Sequence, residues 1–242
     1  MIASGRVAYL ARRGADFGVR AGAIRIDMRR VRRRKRDIVE KFRTGSQGRL
    51  EKTKNLELIF GEASFVAPKT LAIRSPDGSS RTVTADRIFI NAGCRPAVPA
   101  LEGLGGVPFL TSTSIMELGA VPEHLLVLGG GYIGLEFGQL FRRLGSRVTI
   151  VQSSGRLLAR EDPDIADEVA SILEADGVRV FLNAQAAKVK KIGAELKLTV
   201  RTGGRSTTLT GSHLLVATGR RPNTDTLNLA AAGIATDPRC FI

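Results

Sequence analysis

Hydrophobic positions near the start of the chain recur at the spacing of helices. Val7, Leu10 and Ala11 share one side of a predicted helix over 4–15. A second predicted helix, over 24–42, has this apolar stripe: Ile24, Met28, Val31, Ile38, Val39 and Phe42. Arginine fills most positions between these residues, so we predict an amphipathic helix with a charged face in solvent. A polar loop is predicted after it.

From Leu56 onward the apolar positions alternate, which is the spacing of strands. The runs LELIFGEASFV, TLAIR and RTVTA predict a small antiparallel meander, and Asp77-Gly78 is typical of a hairpin turn. The next run, DRIFINAGCRP over 86–96, predicts a short strand that stops at Ala92-Gly93, ahead of Pro96.

After residue 121 the pattern alternates between strand and helix. Strands are predicted over 125–128, 147–152 and 178–182, with helices over 132–144 and 162–175. This alternation is typical of a parallel sheet with helical crossovers. A second polar meander, over about 188–209, precedes the run HLLVATGRRPN.

Two segments of the chain have similar sequences. RIFINAGCRP (87–96) and HLLVATGRRP (213–222) each combine an apolar strand with Ala, Gly and a final Arg-Pro, and each follows a meander. We therefore predict an α/β fold built from two related units in tandem, of which the first is incomplete.

Size and composition favour a globular protein. The chain has 242 residues and is 43% hydrophobic, enough for a substantial core. No apolar run approaches the roughly 18 residues of a membrane span, and the N-terminus does not resemble a signal peptide. We therefore expect a cytoplasmic protein that does not cross a membrane. Cys94 and Cys240 have no spacing typical of a metal or redox site.

The formal charge of +14 is concentrated near the start of the chain. Residues 1–44 hold 12 Arg and 2 Lys against 4 acidic residues, with a peak at RRVRRRKRD over 29–37. Such a block is also found in nucleic-acid-binding proteins. Because the block lacks aromatic residues and a recognised binding motif, we favour the solvent-facing side of an amphipathic helix over nucleic-acid binding.

The run LLVLGGGYIGLEF places three glycines between an apolar strand and a helix. Gly129, Gly131 and Gly134 fit the pattern G-x-G-x-x-G, and a second strand follows within about 30 residues. The first glycine permits a tight turn, the second admits a diphosphate to the backbone, and the third lets helix and strand pack closely. This context favours dinucleotide binding over a purely structural turn.

The end of the second strand normally distinguishes NAD from NADP. A carboxylate there binds the ribose hydroxyls, whereas arginine accommodates a 2′-phosphate. This chain has Gln152 at that position, followed by Arg156 and Arg160. An amide binds a hydroxyl without repelling a phosphate, so both cofactors remain open and we expect weak discrimination between them.

With these motifs the sequence resembles the pyridine nucleotide–disulfide oxidoreductases, the flavoprotein family of dihydrolipoamide dehydrogenase, glutathione reductase and mercuric reductase. The segments that carry the resemblance, in the family's order, are IFGEASF, INAGCRPAVP, GGGYIGLEF, LLAREDPDI and VATGRRPNTD. The opening MIASGRVAYLARRGADFGV is similar to the segment that follows the redox-active disulfide in the mercuric reductase-like branch. The resemblance covers nearly the whole chain.

The resemblance implies an FAD/NAD(P)-binding Rossmann-like fold. It implies a partial FAD-binding domain over 1–96, a connector over 97–121, an NAD(P)-binding domain over 122–222 and a return to the FAD domain over 223–242. In this family, hydride passes from NAD(P)H through FAD to a disulfide or metal-ion substrate.

The resemblance also implies roles for individual residues. Tyr132 is expected to shield the flavin until nicotinamide displaces it, and Glu136 to lie beside nicotinamide and flavin. The residues expected to line NAD(P)H are Gly129, Gly130, Gly131, Ile133, Gly134, Gln152, Ala186 and Gly219. The residues expected near FAD are Glu62, Ala63, Ala92 and Gly93.

Several family features are not found in these 242 residues: the first FAD glycine motif, the paired cysteines, the late Gly-Asp motif and the dimerisation domain. We therefore expect an internal fragment, inactive by itself, of a longer enzyme that forms a homodimer through that domain. The substrate is not encoded here. One alternative is a non-catalytic NAD(P)-binding module, and a less favoured one is a basic nucleic-acid-binding protein.

Overall fold

The computed structural model describes all residues, 1–242. The chain divides into two compact units. The larger unit contains Met1–Ile38 and Val98–Gly219, and the smaller contains Val39–Ala97 and Arg220–Ile242. The predicted assignment of segments to cofactor domains stays a prediction. None of the helices combines the length and the apolar composition that a bilayer span requires.

The elements follow in this order along the chain. The helices are α1 (Ile2–Arg12), α2 (Met28–Glu51), α3 (Tyr132–Leu144) and α4 (Pro163–Ala175). The strands before α3 are β1 (Glu62–Ala67), β2 (Thr70–Arg74), β3 (Ser80–Thr84), β4 (Cys94–Pro96) and β5 (His124–Leu128). The later strands are β6 (Arg147–Val151), β7 (Arg179–Phe181), β8 (Gln185–Ile192), β9 (Glu195–Thr202), β10 (Arg205–Gly211), β11 (His213–Val216) and β12 (Arg220–Pro222).

Both N-terminal helices form, but α2 differs from its predicted bounds. It begins at Met28 because the Asp27 carboxylate caps its first turn, accepting the Arg30 N–H at 3.0 Å. The predicted polar loop after residue 42 is wrong, since α2 continues to Glu51. Gly45 and Gly48 lie in this extension and disfavour a helix, so local preference does not account for it, although Gln47 donates to Glu51 one turn later at 2.8 Å.

Part of the basic block on α2 binds a carboxylate within the larger unit. Lys35 and Arg36 both contact the side chain of Glu117, and Arg32 donates to its carbonyl at 2.7 Å. Hydrogen bonds from Lys35 and then Arg36 hold the pKa of Glu117 below its usual value. These three cations therefore have an intramolecular role, which the charge pattern alone did not predict.

The smaller unit contains the predicted meander. Strands β1, β2 and β3 pair in sequence order, all antiparallel, and Glu62 lies opposite Arg74. Phe65 and Ile73 are its buried apolar residues. The turn between β2 and β3 is closed by the Asp77 carboxylate, which accepts the Ser79 N–H at 2.9 Å, and by Gly78 at φ +86°. The predicted hairpin is confirmed.

The strand predicted within 86–96, ending at Ala92-Gly93, is wrong, and a short strand forms only after that turn. Residues 87–93 form no ladder, and Phe89 is 90% exposed, because no strand lies beside them to pair with. Only β4 is a strand, and its partner is β12, antiparallel, with Arg95 opposite Arg221. The two Arg-Pro segments that echo each other in the sequence therefore pair with each other.

The larger unit is built on a four-stranded parallel sheet in the order β11-β5-β6-β7. The strand and helix predictions over 125–182 are confirmed to within one residue at most ends. Leu125 and Val127 of β5 face a core with Phe141 of α3 and Ile150 of β6. Leu128, Val151 and Val216 are in register, so the carboxyl ends of β5, β6 and β11 lie at one edge.

The opposite face of this sheet is covered by the second meander. Strands β8, β9 and β10 form an antiparallel sheet, as predicted from the pattern over 188–209. Leu126 of β5 packs in a second core with Val189, Leu198 and Leu214. The parallel sheet is thus buried on both faces, which accounts for the continuous apolar runs of β5 and β11.

Candidate functional site

The first and third glycines after β5 are held tightly by the backbone. Gly129 has φ +105°, and a Cβ there would lie 2.4 Å from the carbonyl oxygen of Ala217. A Cβ on Gly134 would lie 2.0 Å from the carbonyl oxygen of Gly129. No real side chain tolerates these distances, so both positions require glycine for the turn and for the approach of α3.

Gly131 is different, because it borders open space. It is the N-cap of α3 with φ −88°, and a Cβ there would meet no atom within 4 Å. The N–H groups of Gly131, Tyr132 and Ile133 have no acceptor within the chain. Free N–H groups at the positive end of a helix, next to open space, are suited to an anion such as a diphosphate.

Gly130 is clamped from both sides by the segment that follows β6. Its N–H donates to Gln152 Oε1 at 2.8 Å, and its carbonyl accepts the N–H of Leu158 at 2.9 Å. The Gln152 Nε2 donates in turn to the Ser154 hydroxyl. Gln152 was predicted to face the ribose, but in this structure both ends of its amide bind within the chain.

Replacing Gln152 with Ala is expected to destabilise the larger unit by about 1–2 kcal/mol. Gly130 is buried, and its N–H would then lack an acceptor. Gln152→Glu keeps an acceptor oxygen and is expected to cost less. Urea unfolding measures the difference, with Gln185→Ala, at an exposed strand position, as the control. Equal stabilities of Gln152→Ala and the control would contradict this account of the clamp.

Tyr132 stands at the first position of α3 with 60% of its surface exposed. Its hydroxyl donates to the carboxylate of Glu161, which lies just before α4. This bond raises the pKa of Tyr132, because the carboxylate stabilises the neutral hydroxyl and disfavours a second negative charge. Sequence patterns did not point to Glu161, although it lies in the LLAREDPDI segment.

Glu161→Gln is expected to lower the pKa of Tyr132 toward the ordinary tyrosine value. The amide still accepts a hydrogen bond but carries no charge to oppose the phenolate. Absorbance at tyrosinate wavelengths measures this cleanly, since Tyr9 and Tyr132 are the only tyrosines and the chain has no Trp. Glu168→Gln, on the exposed side of α4, is the matched control. Identical titration curves for wild type and Glu161→Gln would contradict the interaction.

Gly219 and Ala186, which were also predicted to line NAD(P)H, lie near the same edge of the parallel sheet. Ala217 follows β11 and donates its N–H to the Leu128 carbonyl at 2.8 Å, which places the turn to Gly219 beside the glycine turn. A Cβ on Gly219 would meet no atom within 4 Å. Ala184 donates to the Gln152 carbonyl at 2.9 Å, so Ala186, two residues later in β8, begins close to this edge.

Glu136 lies one turn into α3. It is exposed and forms no ion pair, whereas Phe137 is half-buried and Leu140 is buried against the core. Glu136 is thus free to interact with a ligand, and nothing in the chain fixes its orientation.

The residues predicted near FAD lie in the smaller unit. Glu62 is exposed on β1 and forms an ion pair with Arg74 across the strands, while Ala63 is half-buried. The carbonyls of Ala92 and Gly93 accept, at 3.0 Å each, the side-chain and backbone N–H groups of Asn223. Asn223, which sequence patterns did not single out, therefore anchors this turn.

An ion pair supports the same turn. Arg95 of β4 binds the Asp225 carboxylate with both terminal nitrogens, and a hydrogen bond from Arg95 lowers the pKa of Asp225. It also donates to the Asn223 side-chain oxygen at 3.0 Å. The first of the two similar Arg-Pro segments thus supplies Arg95, which positions the residues that follow β12.

Comparison with known proteins agrees with this geometry. A profile of the family described as pyridine nucleotide-disulphide oxidoreductase matches residues 7–242. The chain belongs to this family. Members of the family use FAD and NAD(P)H, and the fold here is their FAD/NAD(P)-binding Rossmann-like fold.

The chain is similar to several curated members of the family. The mercuric reductase of Lysinibacillus sphaericus is 35% identical over 236 residues, which is 98% of this chain and 42% of that protein. The probable pyridine nucleotide-disulfide oxidoreductase RclA of Escherichia coli strain K12 is 36% identical over 214 residues, 88% of this chain and 47% of that protein. This chain therefore spans less than half the length of these relatives.

A solved structure shows the same fold. The Cu(II) complex of the HOCl-induced flavoprotein disulfide reductase RclA from Escherichia coli superposes with a TM-score of 0.81 at 34% identity. The match covers 88% of this chain and 48% of the solved chain.

The residues present fit the two cofactors to different extents. The open space at Gly131, beside three free N–H groups, fits the diphosphate of NAD(P)H. At the turn predicted near FAD, Gly93 has φ +69° and a Cβ there would meet no atom within 4 Å, so the turn has room for a ligand. Glu62 would have to exchange its partner Arg74 to bind one.

Proposed function

We propose that this chain provides the NAD(P)H site and part of the FAD site of a flavoprotein oxidoreductase. Residues 122–222 are assigned to the NAD(P)-binding domain, 1–96 and 223–242 to the FAD domain, and 97–121 to the connector. The observation that carries the proposal is the open cradle at Gly131, where N–H groups without acceptors border unfilled space.

Within this proposal the residues of the glycine turn have separate roles. Gly129 and Gly134 close the turn, and the N–H groups of Gly131, Tyr132 and Ile133 bind the diphosphate. Gln152 holds Gly130 in place and, from the end of β6, lies at the ribose side of the site. Ala186 and Gly219 border the cofactor from the neighbouring segments.

Tyr132 and Glu136 are assigned to the reactive end of the site. Bound NAD(P)H supplies a hydride, and bound FAD accepts it. Tyr132, exposed at the start of α3, would cover bound flavin and move aside for nicotinamide. Its bond to Glu161 would have to break or be kept as the ring moves, which gives Glu161 a role in this proposal. Glu136, one turn further along, orients the nicotinamide amide.

The FAD side of the proposal rests on the smaller unit. Glu62 and Ala63 would border the FAD adenine, and Ala92 and Gly93 would close the first crossing of the chain over that cofactor. The final acceptor is a disulfide or a metal ion, in keeping with relatives named mercuric reductase and flavoprotein disulfide reductase. We place the whole protein in the cytoplasm, as a homodimer.

Calorimetric titration with the two reduced nicotinamide cofactors tests the proposal. Both are expected to bind, with dissociation constants that differ by less than about a hundredfold, because Gln152 carries no charge to repel a 2′-phosphate and its amide already binds Gly130 and Ser154. AMP, which lacks the diphosphate, is the control and is expected to bind more weakly. Absence of binding by NADH and NADPH alike would refute the proposed function.

A further inference from the structure

A charged cavity lies at the opposite end of α3 from the glycine turn. Its volume is about 770 Å³, within the range of small-molecule sites. It is lined by the end of α1, the last turn of α3 and the end of α4, with Arg12, Arg13, Arg142 and Arg143 contributing four guanidinium groups. At 1.5 Å per residue, α3 separates this cavity from Gly131 by roughly 20 Å.

The charges in the cavity are only partly balanced. Arg143 donates to Asp176 Oδ2 at 3.0 Å, and Arg13 donates to Asp16 at 2.8 Å. Arg12 and Arg142 have no carboxylate partner.

These two arginines bind only carbonyl oxygens. Arg12 donates to those of Arg143 and Leu144, and Arg142 to those of Asp176 and Ser146. Such contacts cap the C-terminal ends of helices, where the helix dipole offsets roughly half of an arginine's charge. Helix capping therefore accounts for part of the positive charge in the cavity. It leaves two guanidinium groups in one cavity without a full counter-charge.

The aromatic ring of Tyr9 arranges two of the guanidinium groups. The Arg143 and Arg13 Cζ atoms lie 4.4 and 5.2 Å from the ring centroid. Stacking on an aromatic ring orients a guanidinium and lowers the entropy lost when it binds a ligand. The cavity therefore contains guanidinium groups of restricted orientation, and the paired N–H donors of a guanidinium suit phosphate oxygens.

We propose that this cavity binds a small molecule that carries two or more phosphate charges. A diphosphate matches the two uncompensated guanidinium groups, whereas a single carboxylate leaves one of them unpaired. The volume exceeds that of the phosphates alone, so an organic group is accommodated as well. The site is separate from the glycine turn and does not depend on the cofactor assignment made above.

Inorganic pyrophosphate, titrated into the 15N-labelled full chain in about 100 mM salt, tests the proposal. We expect the amide resonances of Gly145, Ala175 and Asp176 to shift with a dissociation constant below about 1 mM. Resonances of residues 131–133 report separately on the glycine turn. Shifts confined to 131–133, or no shifts, would overturn the proposal.

Two variants establish which groups bind. Arg12→Gln is expected to weaken pyrophosphate binding about tenfold, whereas Arg33→Gln, an equal loss of charge on the exposed face of α2, leaves it unchanged. Asp176→Asn is expected to tighten binding, because it removes the only carboxylate of the lining. Binding that is equal in Arg12→Gln and Arg33→Gln, or weaker in Asp176→Asn, contradicts the assignment.

A hexaglutamate peptide distinguishes phosphate from carboxylate ligands. It is expected to bind more weakly than pyrophosphate at equal salt. Tighter binding of the peptide would assign the cavity to an acidic polypeptide and overturn the phosphate proposal.

Discussion

Gly134→Ala is expected to destabilise the larger unit by more than about 3 kcal/mol. The new Cβ would lie 2.0 Å from the carbonyl oxygen of Gly129 and 3.1 Å from its carbonyl carbon. Both atoms belong to the backbone, which cannot move without opening the turn between β5 and α3. Urea unfolding, followed by circular dichroism, measures the loss.

Gly138→Ala, in the same helix, is the matched control for this result. The nearest atom to a Cβ at Gly138 would be the terminal Cδ1 of the Ile150 side chain, at 3.2 Å, followed by Val148 Cγ1 at 3.6 Å, and neither belongs to the backbone. The helix preference of Ala over Gly, about 1 kcal/mol, offsets that contact, so we expect little change. A loss below about 1 kcal/mol in Gly134→Ala would show that the packing of α3 on the glycine turn is wrong.

Gly131→Ala is expected to leave the protein folded and to weaken NADPH binding at least about tenfold. Its backbone angles suit any residue, and the new methyl group meets no atom of the chain. The cost in stability is that of Ala at an N-cap, about 1 kcal/mol or less. The methyl group instead occupies the space through which a phosphate must approach the free N–H groups.

Calorimetry compares Gly131→Ala with wild type and with Gly138→Ala, which is expected to bind normally. An unchanged dissociation constant in a folded Gly131→Ala protein would contradict the diphosphate cradle. Gly134 is thus expected to be required for the fold, and Gly131 for cofactor binding.

The sequence predicted the parallel sheet of the larger unit well, because each element there has a strong local signal. β5 is a continuous apolar run, α3 has a regular apolar stripe, and Gly129 and Gly145 mark the turns at their ends. The end of α2 had no such signal, since its last turns carry few apolar residues. The segment 87–93 had the residues of a strand but, in this structure, no neighbour with which to pair.

The candidate site was predicted as a set of residues but not as a set of contacts. The glycine spacing identified the turn, because the close approaches that require Gly129 and Gly134 follow from local geometry. The partners of the site residues, Leu158, Glu161 and Asn223, come from distant segments. Only the folded arrangement of strands brings such residues together, and no local pattern marks them.

The arginine cavity illustrates the same limit. In the sequence, Arg12 and Arg13 belong to one basic stretch, while Arg142 and Arg143 form an ordinary basic end of a helix. Their convergence depends on the packing of α1 against α3, with the end of α4 lining the same cavity. A charge count identifies an excess of arginine but not the place where it accumulates.

The central claim is that the N–H groups freed at Gly131, Tyr132 and Ile133 bind the diphosphate of a nicotinamide cofactor. Heteronuclear NMR of the 15N-labelled chain during titration with NADPH tests it most directly. We predict that these three amide resonances shift together and saturate, while those of Gly203 and Gly204, in the turn between β9 and β10, stay in place. Unmoved resonances of Gly131, Tyr132 and Ile133 at saturating NADPH would contradict the account.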